Sequence, residues 1–486
     1  MLHGDEVAKH NSRESCWVVI ADRVYDVTEF LESHPGGANV ILKYAGRDAT
    51  AEYEELHAPG LLEENLPPEK HLGPVDPKSM PKPKSSKEPI PSEVADAPPP
   101  LHQMINIDDF EKVAQRFLSA KGWAYYHSGS DDLISKHQAN TIYSRVYLRP
   151  RIFRDITTVD TRCKMLGQDS TLPIFIAPAA LAILAHPSAE AALCAAAGKE
   201  GIVHCVSTNA SLPIEKIVAA RQRPDQPVWF QLYVKANRAE SEKLIERVRN
   251  AGCTALVVTL DASWPGKREA DERVKNADAP PLGNNNPTKD AREVQGLGKA
   301  LFSGTAGDLT WEHLGWLRKH WPGKLMLKGI QTVEDAVLAA HHKLDGIIIS
   351  NHGGRAADTA PPPLLILLEV RKYAPWVLDQ IDVYLDGGIR RGTDVLKALC
   401  LGAKGVGLGR AFLYSLTKYG EDGARRVIDI LREEISSNMK ICGVTKLSEL
   451  GPHLIITRAI DGEVAELSPE QLQEIERYRP GPKARL

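Results

Sequence analysis

Residues 383–410 read Val-Tyr-Leu-Asp-Gly-Gly-Ile-Arg-Arg-Gly-Thr-Asp-Val-Leu-Lys-Ala-Leu-Cys-Leu-Gly-Ala-Lys-Gly-Val-Gly-Leu-Gly-Arg. A short apolar run (383–386) leads into a glycine- and arginine-rich turn, a helical segment (393–401), a second apolar run (405–409) and an arginine. Strand, turn, helix and strand in that order make one parallel β/α unit. The glycines of 405–409 are not spaced as in a dinucleotide fingerprint, and the run comes late in the chain, so it is read as structural.

The same rhythm recurs upstream. Apolar runs at 172–177, 201–207, 228–234, 255–261, 324–328 and 346–350 precede those two, and helical patterns such as 188–201 separate them. Near-continuous apolar strands are buried on both faces. Eight of them with intervening helices fit an α/β protein built as a closed (β/α)8 TIM barrel; an open doubly wound sheet is the alternative. The longest insertion, about 276–308, is read as a loop at the barrel mouth.

Working toward the N-terminus, the composition changes between Gly73 and Pro100, where 9 of 28 residues are proline. Such a stretch cannot bury enough apolar surface to fold and reads as a semi-rigid tether. Three parts follow: an N-terminal domain at 1–75, a linker at 76–100 and the barrel domain at 101–486. The 486-residue chain carries a net charge of −3, but residues 1–70 alone hold 6 Lys/Arg against 14 Asp/Glu, a net of −8. That polarity suits a basic partner and argues against nucleic acid. No apolar run approaches the roughly 20 residues that span a bilayer, so a soluble protein is expected. The seven cysteines are scattered without a Cys-x-x-Cys pair, as for reduced intracellular thiols. His341 and His342 are adjacent on a helical stretch with no third ligand nearby and are read as structural.

Barrel enzymes build their sites at the C-terminal ends of the strands. Those ends carry Gln231 and Tyr233; Thr259, Asp261 and Arg268; Lys328; Ser350, His352 and Arg355; Asp386, Gly387, Gly388 and Arg390; Gly409 and Arg410. One histidine with a carboxylate can serve as a base, arginines can grip a carboxylate bidentately, and glycine-rich turns after the last two strands can cradle a phosphate.

The N-terminal domain contains Trp17-Val18-Val19-Ile20, Tyr25-Asp26-Val27-Thr28, His34-Pro35-Gly36-Gly37 and, 23 residues after His34, His57. Together these resemble the cytochrome b5 family, an α+β fold. The resemblance implies haem b held between His34 and His57, with both axial positions filled and hence an electron-transfer role. Residues 105–460 resemble the FMN-dependent 2-hydroxy-acid oxidising family, which includes glycolate oxidase and mandelate and lactate dehydrogenases. The segments 394–410 and Ala124-Tyr125-Tyr126-His127-Ser128-Gly129 are particularly similar. The fusion of the two domains resembles the flavocytochrome b2 family.

This resemblance implies an FMN-dependent L-2-hydroxy-acid dehydrogenase that passes electrons through haem b to cytochrome c. It makes His352 the base, with Asp261 bonded to it, and gives the substrate Tyr125, Tyr233, Arg268 and Arg355. Lys328 would face the electron-rich edge of the flavin. FMN would be held by Pro178, Ala179, Ala180, Ser207, Gln231, Thr259, Lys328, Ser350, Asp386, Gly387, Gly388, Arg390, Gly409 and Arg410. The family also implies a homotetramer. Ala356-Ala357, Asn209 and Trp264-Pro265 depart from the family pattern, which leaves the substrate open among L-lactate, glycolate, mandelate and longer hydroxy acids. An oxidase delivering electrons to O2 and a haem carrier on an inactive barrel are the rival readings. No secretory or transit peptide is visible. The final Ala484-Arg485-Leu486 resembles a peroxisomal address; the cytoplasm and the mitochondrial intermembrane space are the other compartments considered.

Overall fold

The computed structural model describes residues 1–32, 34, 38–50, 53, 62, 66–77, 79–80, 97–274, 296–302 and 304–480. The chain divides into two compact units, Met1–Ala97 and Pro98–Leu486. Most of the proline-rich stretch, His57 and the C-terminal tripeptide lie outside the described residues.

The first unit is a sheet of β1 (Trp17–Ile20), β2 (Arg23–Asp26), β3 (Arg47–Asp48) and β4 (His71–Pro74) in the order β3-β1-β2-β4. β1 and β2 are joined by Ala21 and Asp22, both at positive φ (48° and 59°), which is the backbone that a tight two-residue hairpin demands. Successive residues then point to opposite faces. Val18, Ile20 and Tyr25 enter one apolar cluster, while Val19 and Val24 enter another with Val7 and Val75. Residues 30–31 form a turn, and the remaining strands come from Arg47–Asp48 and His71–Pro74.

In the second unit, α1 (Ile107–Phe117), α2 (Ala120–His127) and α3 (Ile134–Thr141) precede a hairpin of β5 (Cys163–Met165) and β6 (Gln168–Ser170). Eight parallel strands then close into a barrel: β7 (Ile174–Ile176), β8 (Val203–Ser207), β9 (Val228–Leu232), β10 (Ala255–Thr259), β11 (Lys324–Ile330), β12 (Gly346–Ile349), β13 (Asp382–Asp386) and β14 (Gly405–Leu408), with β14 pairing back onto β7. The closed barrel, not the open sheet, is the fold. Helices alternate with the strands, among them α4 (Ala189–Glu200), α7 (Gly392–Cys400) and α8 (Arg410–Leu416). The insertion after β10 is not all loop: it contains α5 (Glu269–Arg273) and α6 (Leu297–Leu301).

The strand period of two sorts side chains between two cores. Phe230, Leu256 and Val258 face the helices, whereas Phe175, Cys205, Trp229, Val257, Met326, Ile348 and Tyr384 fill the barrel. Gly407 is small because Phe175 occupies the space where its side chain would go: a Cβ there would lie 2.6 Å from the ring. The hairpin plugs the N-terminal end. Its Leu166 N donates to the Tyr384 hydroxyl at 2.9 Å, and Trp229 Nε1 donates to Gln168 Oε1 at 3.1 Å. Trp229 is fully buried at this junction. Trp229→Ala is therefore expected to cost about 3–5 kcal/mol of barrel stability, read as an earlier midpoint in urea unfolding.

Candidate active site

Continuing the inward positions one step up each strand leads from Cys205, Trp229, Val257, Met326, Ile348 and Tyr384 to Ser207, Gln231, Thr259, Lys328, Ser350 and Asp386. The inner face thus changes from apolar to polar at the C-terminal end of the barrel. Lys328 is the hub. Its Nζ donates to Ser350 Oγ at 2.9 Å and stands 3.5 Å from Asp386 Oδ2 and 3.8 Å from Asp261 Oδ2. Ser350 in turn donates to Asp386 Oδ1 at 2.5 Å. The strand breaks register between Lys328 and Ile330, and Gly329 sits at φ +103°; a Cβ at Gly329 would lie 2.6 Å from that of Asp261. The bulge and the missing side chain let Asp261 and Lys328 share the same layer.

Asp261 Oδ1 accepts from His352 Nδ1 at 2.8 Å. Burial alone would raise the Asp261 carboxyl, but Lys328 and His352 hold it down at about 2, so it is ionised at any working pH. With Nδ1–H committed to Asp261, His352 presents its Nε2 lone pair, 3.3 Å from the Tyr233 hydroxyl. Burial lowers the His352 pKa below the ordinary histidine value against the pull of Asp261, so the ring is held neutral. Its backbone is at φ +59°, unusual for a histidine and followed by Gly353 and Gly354 at positive φ. The Ser350 hydroxyl fixes that turn by accepting from His352 N at 3.0 Å.

Buried Arg268 and half-buried Arg355 stand close to this histidine. Arg268, 4% exposed, stacks on the Phe302 ring at 5.5 Å, and its Nε has no hydrogen-bond partner. Phe302 itself lies edge-on to Tyr233 at 5.1 Å. Arg355 stands over the Tyr125 ring at 5.8 Å and donates to the main-chain carbonyls of Tyr125 (3.2 Å) and Tyr126. Burial, with Arg410 and Arg268 nearby, pulls Arg355 down to about 9. Among the described residues neither guanidinium is paired with a carboxylate. Two uncompensated cations make a receptor for an anion.

Beside them opens a cleft whose lining includes Pro178, Ala179, Lys328, Gly387, Gly388, Arg390, Gly409 and Arg410. Ala180 lies next to it without lining it. Gly388, at φ +79°, could carry no side chain, because a Cβ would lie 1.8 Å from Ala139 O. On the barrel floor, Gln231 Oε1 accepts from Ser207 Oγ at 3.2 Å, leaving Gln231 Nε2 and Thr259 Oγ1 buried without partners. These are groups that a polar ring edge would satisfy, and the glycine turns with Arg410 fit a phosphate. Arg390 lines the same cleft but is already gripped by Asp108 and Glu111 of α1, with Nε 2.8 Å from Asp108 Oδ1. Sequence reading missed Lys136, Asn140 and Glu111, which line the cleft from outside the barrel strands. It also missed Phe302, which carried no motif.

In the first unit His34 is half-buried, its ring edge-on to Phe30 at 5.7 Å. Partly buried apolar side chains (Phe30, Ala38, Ile41, Leu42, Tyr44, Tyr53 and Leu62) pack on the adjoining core. An imidazole in an apolar neighbourhood suits a planar haem; its expected partner, His57, lies outside the described residues.

Residues 114–457 match the FMN-dependent dehydrogenase family, and residues 4–76 match the cytochrome b5-like heme/steroid binding domain. The L-lactate dehydrogenase (cytochrome) of Wickerhamomyces anomalus is 41% identical over 473 residues, covering 96% of this chain and 82% of that protein. Its Saccharomyces cerevisiae counterpart is 39% identical over 464 residues (93% and 78%). The 2-hydroxyacid oxidase 2 of Bos taurus is 36% identical over 362 residues, covering 72% of this chain and 98% of the oxidase. Among solved structures, the flavin-binding domain of baker's yeast flavocytochrome b2 superposes with a TM-score of 0.68 at 34% identity over 80% of this chain and 95% of that one. The (S)-mandelate dehydrogenase from Pseudomonas putida gives 0.66 at 31% identity over 73% and 99%. This chain belongs to the FMN-dependent dehydrogenase family, as a flavocytochrome whose barrel takes FMN and whose N-terminal b5-like domain takes haem.

Proposed function

We propose that the chain oxidises an L-2-hydroxy acid, L-lactate first, to the 2-oxo acid and delivers the electrons through haem b to cytochrome c. The observation that carries this reading is a neutral His352 bound through Nδ1 to the Asp261 carboxylate, with Arg268 and Arg355 close by and, among the described residues, unpaired with any carboxylate. Arg268 and Arg355 hold the substrate carboxylate, with Tyr125 beside them. Tyr233 orients the hydroxyl, which brings the reacting carbon under His352. His352 Nε2 takes a proton from the substrate, and Asp261 stabilises the imidazolium that results. FMN, when bound, would supply a two-electron acceptor that can pass electrons on singly to the haem. Lys328 offers positive charge at the barrel centre, Gln231 and Thr259 offer hydrogen bonds to the flavin ring, and Arg410 with the turns at Gly387, Gly388 and Gly409 holds the phosphate. In the first domain, His34 and His57 would hold the haem iron.

The names of the two yeast relatives favour L-lactate and a cytochrome acceptor. An acidic N-terminal domain, net −8 over residues 1–70, favours a basic protein such as cytochrome c. Exposed Ile152 and Phe153 on the barrel domain favour self-association, for which the family suggests a homotetramer. No helix among the described residues is long and apolar enough to cross a membrane. A cytochrome acceptor favours the intermembrane space, and Ala484-Arg485-Leu486 favours the peroxisome; localisation of a fusion with this tail free or masked separates the two.

Four outcomes are expected. His352→Gln should slow anaerobic flavin reduction by L-lactate at least about 100-fold while haem content is unchanged, measured by stopped-flow absorbance. In the parent, the reduction rate should hold as pH falls from 8 and drop only below the ordinary histidine value of about 6.5, because the lowered His352 pKa delays protonation of the base. His34→Ala should lose haem and cytochrome c reduction while flavin reduction persists, and parental cytochrome c reduction should weaken as salt rises. Peroxide produced in place of reduced cytochrome c would assign the chain to the oxidases.

A further inference from the structure

Lys136 is a buried cation for which the mechanism has no use. It belongs to α3, is 7% exposed and lines the cleft together with Asn140 one turn later. Its backbone is pinned: a Cβ on Gly354 would lie 2.5 Å from Lys136 N, so the helix sits directly on the turn that follows His352. An ammonium has three donors. One is taken by the His127 carbonyl at 2.5 Å, and among the described residues no carboxylate pairs with the group. A lysine buried to this degree is normally paired.

The surroundings explain why it has no counter-ion. Carbonyls 125–128, at the C-terminal end of α2, already accept from Arg355 and Arg410 as well as from Lys136. Arg410 faces the lysine from α8 and Arg355 from the His352 turn, while Arg390 faces it from the turn after β13. Glu111 of α1 is the one carboxylate facing it, and Glu111 is engaged by Arg390 and by His127 Nδ1 at 3.1 Å. Burial, then Arg410, pulls the lysine down to about 7. The site therefore holds more positive charge than its side chains and helix end can balance.

We propose that Lys136 is a second cationic ligand of the FMN phosphate, beside Arg410, and that the apoprotein takes up a proton at this lysine when FMN binds. The inference rests on the phosphate lying at this end of the cleft, as proposed above. A dianionic phosphate monoester supplies the missing counter-charge, and pairing raises the affinity of the amine for its proton. The sign follows: between about pH 6 and 7 the free site is mostly protonated and the phosphate mostly dianionic, so FMN binding is strongest there. Above about pH 7, each binding event takes up one proton, so affinity falls as pH rises. The second ionisation of the phosphate, near 6, is complete in this range and does not contribute.

The test is equilibrium titration of the deflavinated full-length chain with FMN and with riboflavin, from pH 7.5 to 9, by quenching of flavin fluorescence. In the parent, FMN Kd should rise roughly tenfold per pH unit while riboflavin Kd stays flat. Lys136→Gln should weaken FMN at least about tenfold at pH 7.5 and flatten the profile. Lys136→Arg should retain affinity and flatten it too, which removes His127 as the source of the slope. FMN binding no tighter than riboflavin in the parent would overturn the phosphate placement itself. FMN preference and pH slope both surviving in Lys136→Gln, or the slope persisting in Lys136→Arg, would overturn the role of Lys136 alone.

Discussion

Burying Lys328 at the centre of the barrel mouth is the constraint on which the site depends. An ammonium in that position is tolerable only with carboxylates in reach, and Asp261 and Asp386 stand 3.8 and 3.5 Å away. Their presence decides much else. Asp261 must approach across the bulge at Gly329, which fixes where His352 finds its hydrogen-bond acceptor. Ser350 links Lys328 to Asp386 and also receives the His352 amide, so one hydroxyl couples the charge network to the turn that aims the base. The strained histidine backbone persists because this surrounding network over-determines it.

A second organising element is the C-terminal end of α2. Its last carbonyls carry the negative end of the helix dipole and accept from Arg355, Arg410 and Lys136. Backbone, not carboxylate side chains, thus orients these cations, which leaves their charge available to anions. The same helix contributes Tyr125, whose ring lies under Arg355. The ends of the cleft proposed to face substrate and phosphate are therefore held by one short helix that stands outside the barrel strands.

The barrel was legible because its strands are buried on both faces, so each reads as an uninterrupted apolar run between glycines, and the eight runs correspond to β7–β14. Their polar ends were legible for the same reason: in this fold a charge after an apolar strand has one place to go. His352, Asp261, Tyr233 and Lys328 do meet. Lys136 was not legible. In Ser-Lys-His-Gln-Ala-Asn it looks like any solvated helix lysine, and only packing against Gly129 and Gly354, far along the chain, buries it. The pairing of Arg390 with Asp108 and Glu111 spans about 280 residues and leaves no local signature. In the first domain, the two-residue β3 pairs parallel to β1 and has no periodicity long enough to read.

In the proposed function, electrons enter at the His352 site and leave through the haem of the same chain. Anaerobic mixing of the intact protein with L-lactate, followed at flavin and haem wavelengths in one stopped-flow record, tests it most directly. Bleaching of the flavin followed by haem reduction, at a rate independent of protein concentration, is the predicted result. Flavin bleaching with the haem left oxidised, or haem reduction that scales with protein concentration, would contradict it.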